Sequence, residues 1–144
     1  MADPLSVAAG VVGLLSAAAK VSLMLTDIVS KARYAPRECQ MVLTDVEDIR
    51  NVLIQLQLYT TGAKQASRSS RALIMVDQVA AALASSVLTF DELKLFVEGL
   101  QRDSSMGILD RLRWITKQKD IEDYQSRLGV HKSSLTLMLT ILNR

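Results

Sequence analysis

Histidine, cysteine and tryptophan each occur once in the 144 residues, as His131, Cys39 and Trp114. One histidine and one cysteine cannot assemble a zinc site of the usual type. A lone cysteine also forms no internal disulfide, which fits a reducing, cytosolic setting. Prolines number only two, Pro4 and Pro36, and aromatics make up 4% of the chain. No Asn-Gly or Asp-Gly turn lies between alternating apolar runs, so nothing reads as a hairpin. No GxxxxGK phosphate loop is present, and Gly62-Ala63-Lys64 follows no strand. Asp45/Glu47/Asp48 and Asp120/Glu122/Asp123 lack the glycine and carbonyl pattern of a calcium loop. No spacing suggests a Ser-His-Asp or Cys-His arrangement. The reading is therefore a protein that is not an enzyme, with no catalytic residues, metal, cofactor or small-molecule substrate. The formal charge of +2 is too small for the pronounced basic face that nucleic acid requires.

Charge is scarcest at the start of the chain. Leu5 to Ala19 carries none, Lys20 interrupts once, and Val21 to Thr26 continues uncharged to Asp27. A surface helix normally keeps one polar face. An element apolar on every side is buried in a core, transferred to a membrane, or moved between the two. The Met-Ala-Asp-Pro start is acidic, unlike a secretory signal, and Ala2 excludes N-terminal myristoylation, so the segment is expected to be retained.

What is present is helix signal. Asp3 is a good N-cap, with Pro4 at the first helical position, and the first helix is expected to run to about Lys31. Ala35-Pro36 breaks it and Pro36 starts the second. Cys39, Val42, Val46, Ile49, Leu53 and Leu56 then recur at three-four spacing. Thr60 to Ser70 reads as a loop. A third stripe, Val76, Val79, Leu83, Ser86, Phe90, Leu93, Val97 and Leu100, belongs to one long helix or to two broken near Ser85-Ser86. Asp103 to Gly107 reads as a connector and Ile108 to Ile115 as a short helix. The last stripe is Ile121, Tyr124, Leu128, His131, Leu135, Met138 and Leu142, where His131 reads as a packing residue.

The expected class is all-α: an antiparallel bundle of four main helices plus a short connecting helix, with the hydrophobic N-terminal helix central. It forms one domain over residues 1–144, read as the N-terminal part of a longer protein. Basic residues flank the apolar segment at Lys31, Arg33 and Arg37 and cluster at Arg111, Arg113, Lys117 and Lys119 around Trp114. These are either solvated helix faces or contacts to anionic lipid headgroups, at about 1 kcal/mol per basic residue near such a surface.

The opening MADPLSVAAGVVGLLSAAAKV resembles the start of the fungal HeLo-like domains found at the N-terminus of NOD-like (STAND) receptors. VLTFDEL at Val87 to Leu93 and RLRWITKQKDIEDYQSRLGVHKSSLTLMLTIL at Arg111 to Leu142 extend the resemblance over nearly the whole chain. It implies a bundle that triggers programmed cell death in fungal innate immunity or heterokaryon incompatibility. There, a cognate NOD-like receptor or an amyloid-signalling partner oligomerises the domain. The first helix then engages anionic lipids, taking a cytoplasmic protein to the plasma membrane as a homo-oligomer. The four-helix domains of the necroptosis pseudokinase and of plant resistosome coiled coils are similar in logic. The chain departs from the receptor pattern in carrying no nucleotide-binding or repeat region.

What the resemblance carries over is the membrane-active helix: Leu5, Val7, Gly10, Val11, Val12, Gly13, Leu14, Leu15, Ala17, Lys20, Val21, Leu23 and Leu25. Ser6/Gly10 and Ala9/Gly13/Ala17 are spaced for close helix approach, in lipid or inside a bundle alike. Leu5 to Ala19 spans about 22 Å and Leu5 to Thr26 about 33 Å at 1.5 Å per residue. A hydrocarbon core is about 30 Å thick, so only the longer segment crosses it, with Lys20 inside. The alternative is a non-lytic signalling or docking module that mediates homotypic interaction or autoinhibition of a larger receptor. In that reading the helix stays locked, and Gly13→Leu or Ala17→Leu overpacks its surroundings at about 1–3 kcal/mol.

Overall fold

A computed structural model describes residues 4–31, 37–62, 70–105 and 111–142, all of them helical. The four helices are α1 (Pro4–Lys31), α2 (Arg37–Gly62), α3 (Ser70–Ser105) and α4 (Arg111–Leu142). They form an all-α four-helix bundle. α1 opens at Pro4, whose missing N–H costs nothing in a first turn. Lys31 closes it, ion-paired with Asp27 at 2.6 Å one turn earlier. Glu38 sits in the first turn of α2, where a carboxylate complements the positive helix end.

Several expected boundaries shift. The third stripe is one unbroken helix of 36 residues, because the Ser86 hydroxyl, buried at the suspected break, donates to the Ala82 carbonyl at 2.8 Å. Thr60 to Gly62 extends α2 and Asp103 to Ser105 extends α3, where loop had been expected. The separate short helix over Ile108 to Ile115 is corrected likewise. Arg111 to Ile115 forms the opening of α4, and residues 108–110 lie outside the described residues. Asp3, Pro36 and 63–69 also lie outside them.

The apolar stripes build the core. Cys39, Val42, Val46, Ile49, Leu53 and Leu56 of α2 are all buried, as are Val79, Leu83, Phe90, Leu93, Val97 and Leu100 of α3. α4 contributes Trp114, Ile121, Leu128, Leu135 and Leu139. Burying such side chains is worth about 1.5–3 kcal/mol each and dominates the stability of the bundle.

The ring order is less conventional. α1 packs on α2 and α3, and α4 packs on α2 and α3, while α1 meets α4 nowhere among the described residues. Consecutive α2 and α3 stand at diagonal corners. Gly10 lies beside Leu83 and Asp27 beside Gln101, so α1 and α3 run parallel. Glu38 meets Gln118 and Asp45 meets Lys132, so α2 and α4 are parallel too. Only the α1/α2 and α3/α4 seams are antiparallel. The expectation of an antiparallel bundle therefore holds between consecutive helices and fails at two of the four seams. The first helix is a corner of the ring, not its axis, because α4 packs between α2 and α3 on the opposite side.

Candidate membrane-active helix

α1 has two faces that hydropathy alone does not separate. Val7, Val11, Leu14, Ala18, Val21, Leu25 and Ile28 follow a strict four-three alternation and are all buried. This is the seam pattern that keeps one edge of a helix on its partners. The opposite face holds Ala9, Val12, Gly13, Ser16, Lys20, Leu23 and Thr26, all exposed. Val12 is 53% and Leu23 74% exposed. Lys20 is the single charge on that face, with its ammonium end at the surface, as a long basic side chain on an apolar helix is expected to place it. Leu15 and Ala17 are half-buried against the core, and the Leu5 side chain lies outside the described ones.

The two glycines differ. A Cβ on Gly10 would touch Leu83 at 3.6 Å, an ordinary contact, whereas a Cβ on Gly13 would meet nothing within 4 Å. The expected overpacking by Gly13→Leu is therefore corrected: residue 13 faces outward.

Residues Val7–Lys31 are long and apolar enough to cross a membrane, and 39% of their most apolar window is buried in the bundle. A helix apolar on all sides normally sits fully inside a core. This one does not.

Polar contacts fasten α1 in its second half. The buried Ser22 hydroxyl donates to the Glu47 carboxylate of α2. Asp27 accepts from the Gln101 amide of α3 at 3.1 Å. The Lys31 ammonium and then the Gln101 amide hold the Asp27 carboxyl below the usual carboxylate range.

The basic residues gather at one end of the bundle, where α1 and α3 finish and α2 and α4 begin. Lys31, Arg37, Arg113 and Lys119 are exposed and Lys117 is half-exposed. Arg33, and the side chain of Arg111, lie outside the described part. Trp114 must be withdrawn as a headgroup contact: it is 2% exposed and packs in the core. Its indole N–H has no partner among the described residues.

Elsewhere, polar side chains tie helices together. Lys132 bridges Asp45 and Asp48 at 3.2 Å each, and these two bonds, Asp45 first, raise its pKa against the opposing effect of burial. Arg127 pairs with Glu92 at 2.7 Å. His131 Nε2 lies 2.7 Å from the hydroxyl of buried Thr89, and burial, then Arg127, lowers the His131 pKa. Burial, then Glu38, pushes the Cys39 thiol up to about 12, far from the thiolate that nucleophilic chemistry needs. Sequence spacing marks none of these cross-helix pairs, since each depends on which helices become neighbours. Among the described residues, no group of His, Cys, Asp and Glu is placed to hold a metal ion.

The arrangement defines a class: a helical bundle with one apolar, half-exposed terminal helix. The chain belongs to the family described as pigment biosynthesis cluster protein PigL N-terminal, whose model matches residues 2–143. No curated protein matches the chain, and no solved structure does.

Proposed function

We propose that this chain is a HeLo-like, membrane-targeting execution domain for fungal cell death, held inactive as a soluble bundle and activated by oligomerisation. The observation carrying this reading is α1: long enough to span a bilayer, yet with an outward face bearing one charge between Val7 and Thr26. Its corner position supports the reading further. Departure of α1 breaks its seams with α2 and α3 and leaves both α4 seams intact. On the insertion scale a Leu or Val contributes about −0.3 to −0.6 kcal/mol and a central lysine costs about +2.5 to +3.5 kcal/mol. A single copy is therefore poorly inserted, and several copies around a wet lumen accommodate Lys20. The partners in this reading are further copies of the chain, anionic lipids, and a receptor or amyloid-templating trigger.

Release of a dye from anionic vesicles tests the proposal, using the monomer and a version oligomerised through a fused dimeriser. Leakage with the oligomer is the expected result. An absence of leakage with both would sink the membrane mechanism. The Ser22–Glu47 and Asp27–Gln101 contacts favour a second reading, in which α1 stays locked and the bundle is a non-lytic docking or autoinhibitory module. Hydrogen exchange separates the two: opening of Val7–Leu25 well below the global unfolding free energy supports release.

A further inference from the structure

The opening of α4 breaks two local rules at once. Its first turn holds no acidic residue, although carboxylates are the favoured side chains at a positive helix end. From Arg111 to Lys119 every ionisable side chain is basic, and the first carboxylate is Asp120. Leu112 and Ile115, meanwhile, are 73% and 58% exposed. Residues three, four and seven apart share a helix face, so Leu112, Ile115, Thr116 and Lys119 form one outward patch about 10 Å long. Arg113 borders it on one side, whereas Lys117, half-exposed, lies about 140° round the helix from Leu112, towards the Trp114 side. Trp114, the most apolar aromatic in the segment, turns the other way into the core. The patch is thus two exposed aliphatic side chains with Lys119 on the same face and Arg113 beside them.

From this juxtaposition we infer that the first two turns of α4 are a docking surface for an anionic lipid bilayer. The aliphatic pair enters the headgroup layer, and Lys119, with Arg113 beside it, faces the lipid phosphates and carboxylates. This is how basic, interfacial amphipathic helices bind. A bilayer fits better than an acidic protein because the patch follows the outward face of a single helix and sets aliphatic beside basic side chains, the composition of an interfacial helix. The inference rests on the membrane reading of the chain and adds the site of first contact.

It also sets an orientation. α1 stands diagonally across the bundle from α4, so a bundle docked through the outward face of α4 carries α1 on the side away from the membrane. Binding and insertion are then separate steps: α4 docks, and α1 reaches the bilayer only after leaving its seams with α2 and α3.

The experiment measures co-sedimentation with vesicles of phosphatidylcholine alone or with phosphatidylserine, and dye leakage by the oligomerised protein on the same vesicles. The variants are Arg113→Glu/Lys119→Glu and Leu112→Ser/Ile115→Ser, with folding checked by circular dichroism. The expected result is a loss of about tenfold or more in binding to the phosphatidylserine vesicles for each variant, with the fold retained. Wild-type binding should weaken at high salt, as screening requires. Variants that bind like wild type would overturn the docking site while leaving wild-type leakage, and so the membrane reading, standing. Equal wild-type binding to both vesicle types would overturn it as well, as would binding to polyglutamate as tight as to phosphatidylserine vesicles. Loss of wild-type leakage with docking preserved would instead defeat the execution reading alone.

Discussion

The Ser22 hydroxyl of α1 donates its hydrogen bond to the Glu47 carboxylate of α2, tying the apolar helix to its antiparallel neighbour. Ser22 is 6% exposed. Glu47 also faces Arg50 at 3.7 Å. A hydrogen bond to a charged acceptor contributes more than a neutral one, about 1.5–3 kcal/mol. Glu47 is half-exposed and regains water when its partner is lost, so Ser22→Ala should cost only about 1 kcal/mol. Hydrogen exchange of Val7–Leu25 should accelerate before that of α3 and α4. Uniform acceleration across all four helices would show that the contact supports the whole bundle and is no local fastener.

Gly13 offers a cleaner test of which way α1 faces. A helical glycine in open space lowers stability by about 0.5–1 kcal/mol relative to alanine. Gly13→Ala should raise the melting temperature, and Gly13→Leu should leave the fold intact. Unfolding by the leucine would mean that residue 13 is packed.

His131 makes stability pH-dependent. Its folded pKa lies below the ordinary 6.5, so the unfolded chain takes up the proton more readily. Its contribution is fully present above pH 6.5 and falls as the pH drops through the lowered folded value. Thr89 is well used when it donates to an unprotonated Nε2 and accepts from Arg127 at 3.4 Å. Thermal melts between pH 7.5 and 5 should therefore show declining stability, with a shallower slope for His131→Gln. An unchanged slope would remove His131 from the account. Asp27 acts in the same direction in a separate window, below the ordinary carboxyl value of 3.8.

Lys20→Leu makes α1 uncharged from Leu5 to Thr26 without touching the core. Stability should change by no more than about 0.5 kcal/mol, as for most surface substitutions. In vesicles the variant should bind more strongly and conduct ions less, because the polar position along the lumen is gone. Equal loss of both would make Lys20 a headgroup contact.

Much of the fold was legible because burial follows periodicity. The α2 stripe, and the α3 stripe from Val79 to Leu100, read at three-four spacing are buried. Ring order was not legible, since a stripe shows which face is apolar and not which neighbour covers it. The faces of α1 were hidden for a related reason. Val11 and Val12 are chemically identical, yet one is in the core and the other outside. With a single charge in the segment, nothing polar marked the boundary. Trp114 was misplaced because a tryptophan among basic residues suits a membrane belt as well as a core. The exposure of Leu112 and Ile115 carries no mark in the sequence, because an apolar residue near a helix start normally signals burial.

The ring order has an electrostatic consequence. In a bundle whose neighbours all alternate, the partial charges at each end run plus, minus, plus, minus around the rim and cancel as a quadrupole. Here the two N-termini at the basic end, those of α2 and α4, are adjacent, and so are the two C-termini of α1 and α3. At about half an elementary charge per terminus, each end of the molecule carries a transverse dipole. The two ends carry opposite transverse dipoles, so only when the basic end comes within a Debye length of a negatively charged plane, about 8 Å at physiological salt, does the field tip the α2/α4 edge towards it.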